Sequence, residues 1–150
     1  MLISFVVYER VVMKPKPARK VEILSDISKA LAESLDLEET LRSILKLIDT
    51  RLKLRRGTIT LLDQDTETIN IRIARGLSNK SKSMASYKVG EGITGLVVKS
   101  GKEIIVPDIS KDPRFLHKTR SRKQQKGKTI AFFCVPIKLE GKTVGALSVD

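Results

Sequence analysis

The first part of the chain carries apolar residues at the spacing of two amphipathic helices. The first apolar stripe consists of Val21, Leu24, Ile27, Leu31 and Leu35. Asp36 then stands at an N-cap position, and Glu39 completes a capping box three residues later. A second helix therefore begins directly after Asp36. Its apolar stripe consists of Leu37, Leu41, Ile44, Leu45, Ile48 and Leu52.

After these helices the apolar period changes from about 3.6 to 2, which marks a change from helix to strand. The runs "GTITLLD" (57–63) and "TINIRIA" (68–74) flank the polar turn "QDTE". Strict alternation with polar or small residues predicts a hairpin with one face on a core. The residues predicted to share that face are Ile69, Ile71 and Ile73.

The second half of the chain predicts shorter elements and ends in another hairpin. In order, these are a polar segment at 77–83, a strand at 84–89, a short helix ending near Gly101, a strand at 103–106, an aperiodic stretch at 108–128, and strands at 129–139 and 142–150. Glu140-Gly141 is a tight-turn signal between the last two strands. The aperiodic stretch is long for a compact domain unless it is functional or disordered. Because the chain ends within a strand, we expect the natural polypeptide to continue.

These elements predict an α+β domain on an antiparallel sheet, with the N-terminal helices packed on one face. A length of 150 residues suits one domain over residues 21–150, preceded by a basic and apolar extension over residues 1–20. The apolar start "LISFVVY" has three open interpretations: an extra strand, a dimer contact, or an artefact of the start codon.

The cysteine content and the length of the apolar runs predict a cytoplasmic protein without a membrane segment. Cys134 is the only cysteine, which excludes an internal disulfide and a Cys-Cys metal knuckle. No apolar run approaches the roughly 18 residues of a membrane-spanning helix. The apolar start lacks the basic leader and the cleavage site of a secretory signal.

The net charge of +12 is concentrated in two segments. Residues 111–128 hold eight Lys or Arg against one Asp, and residues 9–20 hold five basic groups against Glu9. The rest of the chain has 16 basic and 15 acidic residues. This distribution predicts basic arms on a nearly neutral domain.

The glycines of "GEGITG", Gly90, Gly92 and Gly95, have the spacing of a dinucleotide-binding fingerprint, and Asp108 lies near the place of a ribose-binding acid. However, the following helix is short for a parallel crossover, and two helices and a hairpin precede it. The simplest alternative is a tight turn that lets the helix pack closely on the sheet.

We favour a third interpretation, in which the start of this helix faces a cavity and holds an anionic group. Its unpaired N–H groups would be those of Ile93, Thr94 and Gly95. Catalysis and metal binding have little support, because His117 is the only histidine and the nearby acids are few. We expect a buried Cys134, a solvated His117, no catalytic residues, no metal and no cofactor.

Four segments together resemble a GAF sensory domain. They are "SLDLEETLRSILKLI", "RRGTITLLD", "YKVGEGITGLVVKSGKEIIVPDISKDPRF" and "IAFFCVPIKLEGKTVGALSVD". Over roughly residues 21–150 they are similar to the N-terminal regulatory domain of NifA-like, sigma-54-dependent transcriptional activators. The resemblance implies a six-stranded antiparallel sheet, a ligand pocket roofed by the segment after the fourth strand, and control of a downstream ATPase and DNA-binding domain. Such domains carry a closing C-terminal helix that these residues lack, so we expect a fragment.

The resemblance also implies the partners. It suggests 2-oxoglutarate or another anionic nitrogen-status metabolite, a PII-type regulatory protein, and a homodimer formed through the N-terminal helix. From the residues themselves, the 111–128 loop has three open interpretations: a lid that orders on an anionic metabolite or an acidic partner surface, which we favour, a partner site, or a solvated, flexible loop. Arg114 is its best ligand-binding candidate because it lies beside the apolar Phe115 and Leu116. The predicted ligand-binding residues are Tyr87, Gly92, Ile93, Thr94, Arg114 and Phe115.

Three alternatives remain open. The basic 111–128 loop could contact nucleic acid, although Phe115 is its only aromatic residue. The domain could serve only for dimerisation or docking. An enzyme of the GAF fold that reduces oxidised methionine would need paired redox cysteines, so we expect no enzymatic activity.

Overall fold

The fold is organised around an antiparallel sheet of seven strands in a computed structural model that describes residues 2–3, 21–28, 37–120 and 129–150. The strands are β1 (Leu2–Ile3), β2 (Gly57–Asp63), β3 (Thr68–Arg75), β4 (Ser86–Lys88), β5 (Ile104–Val106), β6 (Phe132–Leu139) and β7 (Lys142–Val149). The helices are α1 (21–28), α2 (Leu37–Leu52), α3 (Asn79–Met84) and α4 (Gly92–Ser100). The strand order is β1-β6-β7-β2-β3-β4, and β5 also pairs with β6.

Strands β2 to β7 form the predicted six-stranded antiparallel sheet, and β1 adds a short seventh strand. Leu2 is opposite Lys138 and Ile3 is opposite Ile137. The strand interpretation of the apolar N-terminus therefore holds for these two residues, while residues 4–20 lie outside the described part. Each strand pair in the described sheet is antiparallel, so the parallel pair of a dinucleotide fold is absent there.

Each face of the sheet carries its own apolar core. Helix α2 covers one face through the cluster Leu41, Ile44, Leu45, Ile59, Ile73, Val135, Ile137, Leu147 and Val149. Helix α4 covers the opposite face through a second cluster that includes Ile69, Ile93, Val97, Val98, Val106, Phe132, Cys134 and Ala146. Because neighbouring residues of a strand point to opposite faces, β6 contributes Cys134 to one core and Val135 to the other.

A β-bulge in β3 reverses the faces of the sheet to which the side chains of this strand point. Ile59 is opposite Ile73, but the next residue, Thr60, is opposite Ile71, so β3 contains one extra residue at Arg72. The prediction that the three isoleucines share one face is therefore wrong. Ile73 belongs to the core under α2, whereas Ile69 belongs to the core under α4.

Helix α1 presents a different face to the domain from the one predicted. Ile23 is buried, while Val21 is 67% exposed and Leu24 is 44% exposed. The Asp26 carboxylate lies 2.6 Å from Arg51 at the end of α2, and this contact fixes which side of α1 faces inward. Of the predicted stripe, Leu31 and Leu35 lie outside the described residues, as does the proposed N-cap Asp36.

The polar segment at 77–83, for which the sequence predicted no element, contains most of α3. Ser78 caps this helix by accepting a hydrogen bond from the N–H of Ser81 at 3.1 Å. None of the residues of α3 is buried, so the helix lacks the apolar stripe by which helices are recognised. The strand predicted at 84–89 is correspondingly shorter and begins at Ser86.

Two turns form as the sequence predicted. Helix α4 ends at Gly101, which adopts the left-handed conformation expected of a C-terminal glycine. In the last hairpin, Glu140 and Gly141 have φ values of 50° and 80°, the two positive angles of a type I′ turn. This turn has the handedness that suits the twist of two paired strands.

Burial of Cys134 confirms its predicted place in the core and leads to a prediction about its reactivity. The residue is 0% exposed, and burial raises the pKa of its thiol to about 12, although a hydrogen bond with Thr94 opposes the shift. Only the thiolate reacts with alkylating reagents. We therefore expect iodoacetamide at pH 8 to modify Cys134 on the order of a hundredfold more slowly in the native protein than in urea. Equal rates, measured by mass spectrometry, would show that the thiol is accessible.

Candidate ligand-binding site

A cavity lies on the α4 face of the sheet, and hydroxyl side chains form its floor. Thr58 and Thr60 of β2 and Ser148 of β7 line it. The hydroxyl oxygens of Thr58 and Ser148 are 2.6 Å apart, and Thr60 donates to the carbonyl of Ala146 at 3.0 Å. The floor is therefore a small polar surface within an apolar core.

The aromatic side of the cavity joins the sheet to the loop after β5. The Phe115 ring makes edge contacts with Phe132 of β6 and with His117, at centroid distances of 4.9 and 4.7 Å. Residues 115–119 all line the cavity, and we call them the cavity wall. His117 is exposed at its outer side, as expected of a solvated histidine. This half of the predicted lid packs on the sheet, while residues 121–128 lie outside the described part.

Lys118 fastens the cavity wall to the opposite side of the cavity. Its ammonium nitrogen lies 2.6 Å from Glu91 Oε1, donates to the carbonyl of Ser86 at 2.6 Å, and is 4.9 Å from the centre of the Tyr87 ring. The other carboxylate oxygen of Glu91 accepts from the N–H of Lys88 at 2.8 Å. The hydrogen bond from Lys118 is the main cause that lowers the pKa of Glu91, followed by the hydrogen bond from Lys88. Glu91 is therefore a carboxylate at neutral pH.

Gly90, just before α4, and Gly92 and Gly95, in its first turn, form a tight turn rather than an open cradle. Gly90 donates to the carbonyl of Gly95 at 2.8 Å, and Gly95 donates to the carbonyl of Glu91 at 3.0 Å. The expectation of an unpaired N–H at Gly95 is therefore wrong, because this N–H already makes a helical hydrogen bond. Glu91 immediately precedes the helix, so an acidic side chain of the protein itself occupies this region.

The structure brings four of the six predicted ligand-binding residues to the cavity. Tyr87, Ile93, Thr94 and Phe115 line it. Gly92 lies beside it, and a Cβ atom added there would be 2.8 Å from Leu116 of the cavity wall. Whether these residues bind a ligand stays a prediction.

Arg114 lies away from the cavity, in a shallow surface hollow with Val106, Pro107 and Lys111. Its guanidinium forms a two-point contact with Asp112, with Nε–Oδ1 and Nη2–Oδ2 distances of 2.9 and 2.6 Å. These hydrogen bonds from Arg114 lower the pKa of Asp112 to about 2. Arg114 is thus matched to a neighbouring acid, and Lys118 is the cation of the cavity wall.

The hydroxyl floor and a second cation that lines the cavity, Arg56, are not among the ligand-binding residues predicted from the sequence. The Arg56 guanidinium lies 3.8 Å from the Asp150 carboxylate, and the two residues also exchange two backbone hydrogen bonds. A usable signal was present for the floor. Thr58 and Thr60 alternate with apolar residues in a strand whose apolar positions already fill a core, so their face had to meet something polar.

The cavity is small in this structure. It encloses about 40 Å³, enough for a few water molecules, whereas sites for drug-sized ligands measure roughly 300 to 1,000 Å³. A metabolite can therefore enter only if part of the lining moves. Residues 115–119, the cavity wall, are the longest stretch of the lining outside the sheet and the helices, and Arg56, Leu77 and Asp150 are the other lining residues outside them.

Across the described residues, no helix has both the length and the apolar content needed to cross a membrane. Residues 2–3, 21–28, 37–120 and 129–150 also contain no group of three or more His, Cys, Asp or Glu side chains arranged to hold a metal ion.

An antiparallel sheet with α2 on one face, and α4 and a lined cavity on the other, is the architecture of the GAF fold. The GAF domain family profile matches residues 36–150, and the chain belongs to the GAF domain family. This confirms the resemblance and the predicted fold class.

Among characterised proteins, the chain is similar to regulators of nitrogen fixation. It is 36% identical over 125 residues to the Nif-specific regulatory protein of Azospirillum lipoferum, covering 83% of this chain and 20% of that protein. It is 39% identical over 132 residues to the nitrogen fixation protein AnfA of Azotobacter vinelandii, covering 88% of this chain and 25% of AnfA. The chain thus spans a quarter or less of the length of these two relatives.

Solved structures show the same fold at lower identity. The GAF domain of a phosphoenolpyruvate-protein phosphotransferase from Coxiella burnetii has a TM-score of 0.77 at 21% identity, covering 90% of this chain and 79% of that one. The A. aeolicus nlh2 GAF domain in an inactive state has a TM-score of 0.72 at 23% identity, with coverages of 88% and 78%. The free methionine-R-sulfoxide reductase of Neisseria meningitidis has a TM-score of 0.71 at 17% identity, with coverages of 87% and 71%. These similarities concern the fold.

Proposed function

We propose that this chain is the signal-sensing GAF domain of a NifA-like, sigma-54-dependent transcriptional activator. It binds a small anionic metabolite and controls an ATPase and a DNA-binding domain attached to it in a longer polypeptide. The similarity to Nif-specific regulatory proteins over most of this chain supports the regulatory role. The same relatives support a non-enzymatic domain. A cytoplasmic location is part of the proposal.

The cavity is the observation that carries the sensing function. Two cations, Arg56 and Lys118, line it. Of the floor hydroxyls, Thr60 already donates to Ala146, and Thr58 and Ser148 share one hydrogen bond, so one hydroxyl of the Thr58–Ser148 pair keeps a hydrogen to donate. Hydroxyl donors and cations are the groups that bind carboxylates. The ligand class is therefore a small carboxylate, and 2-oxoglutarate, with two carboxylates and a keto oxygen, matches this set.

Transmission of the signal involves helix α1. Two of its apolar side chains, Val21 and Leu24, are exposed on the monomer. Their burial against a second copy would stabilise a homodimer through this helix. The Asp26–Arg51 contact connects α1 to α2. A movement of α2 would therefore also move α1, which carries the proposed dimer contact. A PII-type protein that binds the domain is a second way to deliver the signal.

The described half of the basic loop gives little support to the nucleic-acid alternative. Lys111, Arg114 and Lys118 lie within 4 Å of the carboxylates of Asp108, Asp112 and Glu91 respectively. Cations paired in this way are less available to neutralise phosphates.

Calorimetry and thermal unfolding of the purified chain with 2-oxoglutarate test the proposal. We expect measurable heat, and stabilisation of about 2.7 kcal/mol when the ligand is at a hundred times its Kd. Glutarate, which lacks the keto oxygen, is the matched control and should bind more weakly. Absence of both heat and stabilisation at millimolar 2-oxoglutarate would leave only partner binding or constitutive dimerisation as the role of the domain.

A further inference from the structure

The Glu91–Lys118 ion pair bridges two parts of the chain that enclose the cavity. Lys118 belongs to the cavity wall and lines the cavity, while Glu91 precedes α4. The same ammonium group also reaches the carbonyl of Ser86 and the ring of Tyr87. One side chain therefore joins the wall to both β4 and the start of α4.

Of the two cations that line the cavity, Lys118 is the one whose release would open it. Arg56 is tied to Asp150 by two backbone hydrogen bonds, which do not depend on its side chain. The polar contacts of Lys118 cross from the cavity wall to Ser86 of β4 and to Glu91 at the start of α4. Leu116 adds an apolar contact with Gly92, but its side chain remains 43% exposed.

The ion pair is suited to exchange rather than to permanent closure. The side chains of Lys118 and Glu91 are 25% and 37% exposed, so water screens their attraction and competes for both groups. A carboxylate ligand presents to Lys118 the same chemical group that Glu91 presents.

We infer that Glu91 acts as an internal substitute for the ligand carboxylate, and that an anionic ligand enters by displacing Glu91 from Lys118. This inference rests on the proposed ligand site and adds a mechanism to it. Lys118 thereby becomes the residue that selects for a negative charge, and Glu91 sets how strongly the closed state competes with binding. In this mechanism a single exchange of partners both opens the cavity wall and engages the ligand.

The first experiment needs no ligand and measures hydrogen exchange in the full 150-residue chain. The amides of Phe115 and Arg120 donate hydrogen bonds within the 112–120 segment, to the carbonyls of Asp112 and His117. We expect Glu91→Gln to accelerate their exchange about two- to fivefold, the size expected from losing a partly exposed ion pair. Glu103→Gln, which makes the same change in net charge at a residue without an ion pair among the described residues, should leave the rates unchanged. Equal rates in wild type and Glu91→Gln would overturn the inference.

The second experiment measures the Kd of 2-oxoglutarate for three variants. We expect Glu91→Gln to bind about two- to fivefold more tightly, because the competing carboxylate is gone. Lys118→Met should bind at least about tenfold more weakly, because a charge-assisted hydrogen bond is lost. Glu103→Gln should bind as the wild type does. Weaker binding by both Glu91→Gln and Lys118→Met would contradict the exchange and indicate that Glu91 supports the site.

The two experiments separate failure of this inference from failure of the proposed function. If the wild type does not bind 2-oxoglutarate, that ligand assignment fails, and hydrogen exchange alone then decides whether Glu91 holds the cavity wall. If Glu91→Gln unfolds, Lys118→Met breaks the same pair from the other side. The expected acceleration at Phe115 and Arg120 applies to that variant as well, and unchanged rates there would overturn the inference.

Discussion

Replacing Gly95 with alanine is expected to destabilise the domain by about 2 kcal/mol or more, within the range of other over-packed sites. A Cβ atom at this position would lie 2.4 Å from the carbonyl oxygen of Lys88 and 3.0 Å from the nitrogen of Gly90. Both are backbone atoms of the turn that starts α4, so they cannot move aside as a side chain would. The greater helix propensity of alanine, about 1 kcal/mol, opposes this loss without cancelling it. Urea unfolding monitored by circular dichroism measures the difference.

Gly141→Ala is the matched control for Gly95→Ala. Gly141 has a φ of 80°, but nothing lies within 4 Å of an added Cβ atom. Its substitution therefore costs only the left-handed backbone conformation, about 1 kcal/mol. If Gly95→Ala is the milder of the two changes, the steric explanation of the third glycine in "GEGITG" is wrong.

Ile44→Ala is expected to reduce the free energy of unfolding by about 2 to 5 kcal/mol, the range for large-to-small substitutions in a core. Ile44 is 1% exposed and lies in the cluster that joins α2 to the sheet. The free energy of unfolding falls for two reasons. Fewer apolar atoms are buried, and the strands are too rigid to fill the cavity that the shorter side chain leaves. Thermal and urea unfolding of the variant measure it.

The control for this prediction is Leu37→Ala on the same helix. Leu37 is 59% exposed, so its truncation should change stability by about 0.5 kcal/mol or less. Similar losses for the two variants would mean that α2 does not present Ile44 to the sheet as the structure shows.

The strands and the longer described helix followed from the sequence because their patterns are local. The strand predicted at 57–63 has the observed bounds, and the last hairpin turns at Glu140-Gly141. The bulge in β3 did not follow, because an extra residue leaves the pattern of isoleucines unchanged while it reverses the faces. Only pairing with β2 reveals it, since Thr60 is opposite Ile71.

The candidate site was predictable only in part, for a similar reason. The glycine turn and Tyr87 lie in a segment whose motif could be recognised along the chain. The sequence favours Arg114 because it adjoins the apolar Phe115 and Leu116, but it contains no signal for Lys118, and the structure separates the two cations by their partners. Arg114 pairs with Asp112, two residues away, while Lys118 reaches across the cavity to Glu91. Contacts between distant segments of this kind leave no periodic signal.

In the proposed mechanism, ligand binding and movement of the cavity wall are the same event. A ligand shifts such an equilibrium only by the difference between its affinities for the two states. In the closed state the small volume excludes a metabolite, so the difference is large. Under this proposal the population of the open state rises with ligand concentration and saturates above the apparent Kd.

The most direct test of the central claim is a titration of the ¹⁵N-labelled chain with 2-oxoglutarate, followed by NMR. We predict saturable shifts of the backbone amides of Tyr87, Ile93, Thr94 and Phe115, which line the cavity, together with Lys118 of its wall. Amides remote from the cavity, such as those of the Glu140-Gly141 turn, should stay in place. Saturable shifts confined to other surfaces, or none at millimolar ligand, would contradict the account.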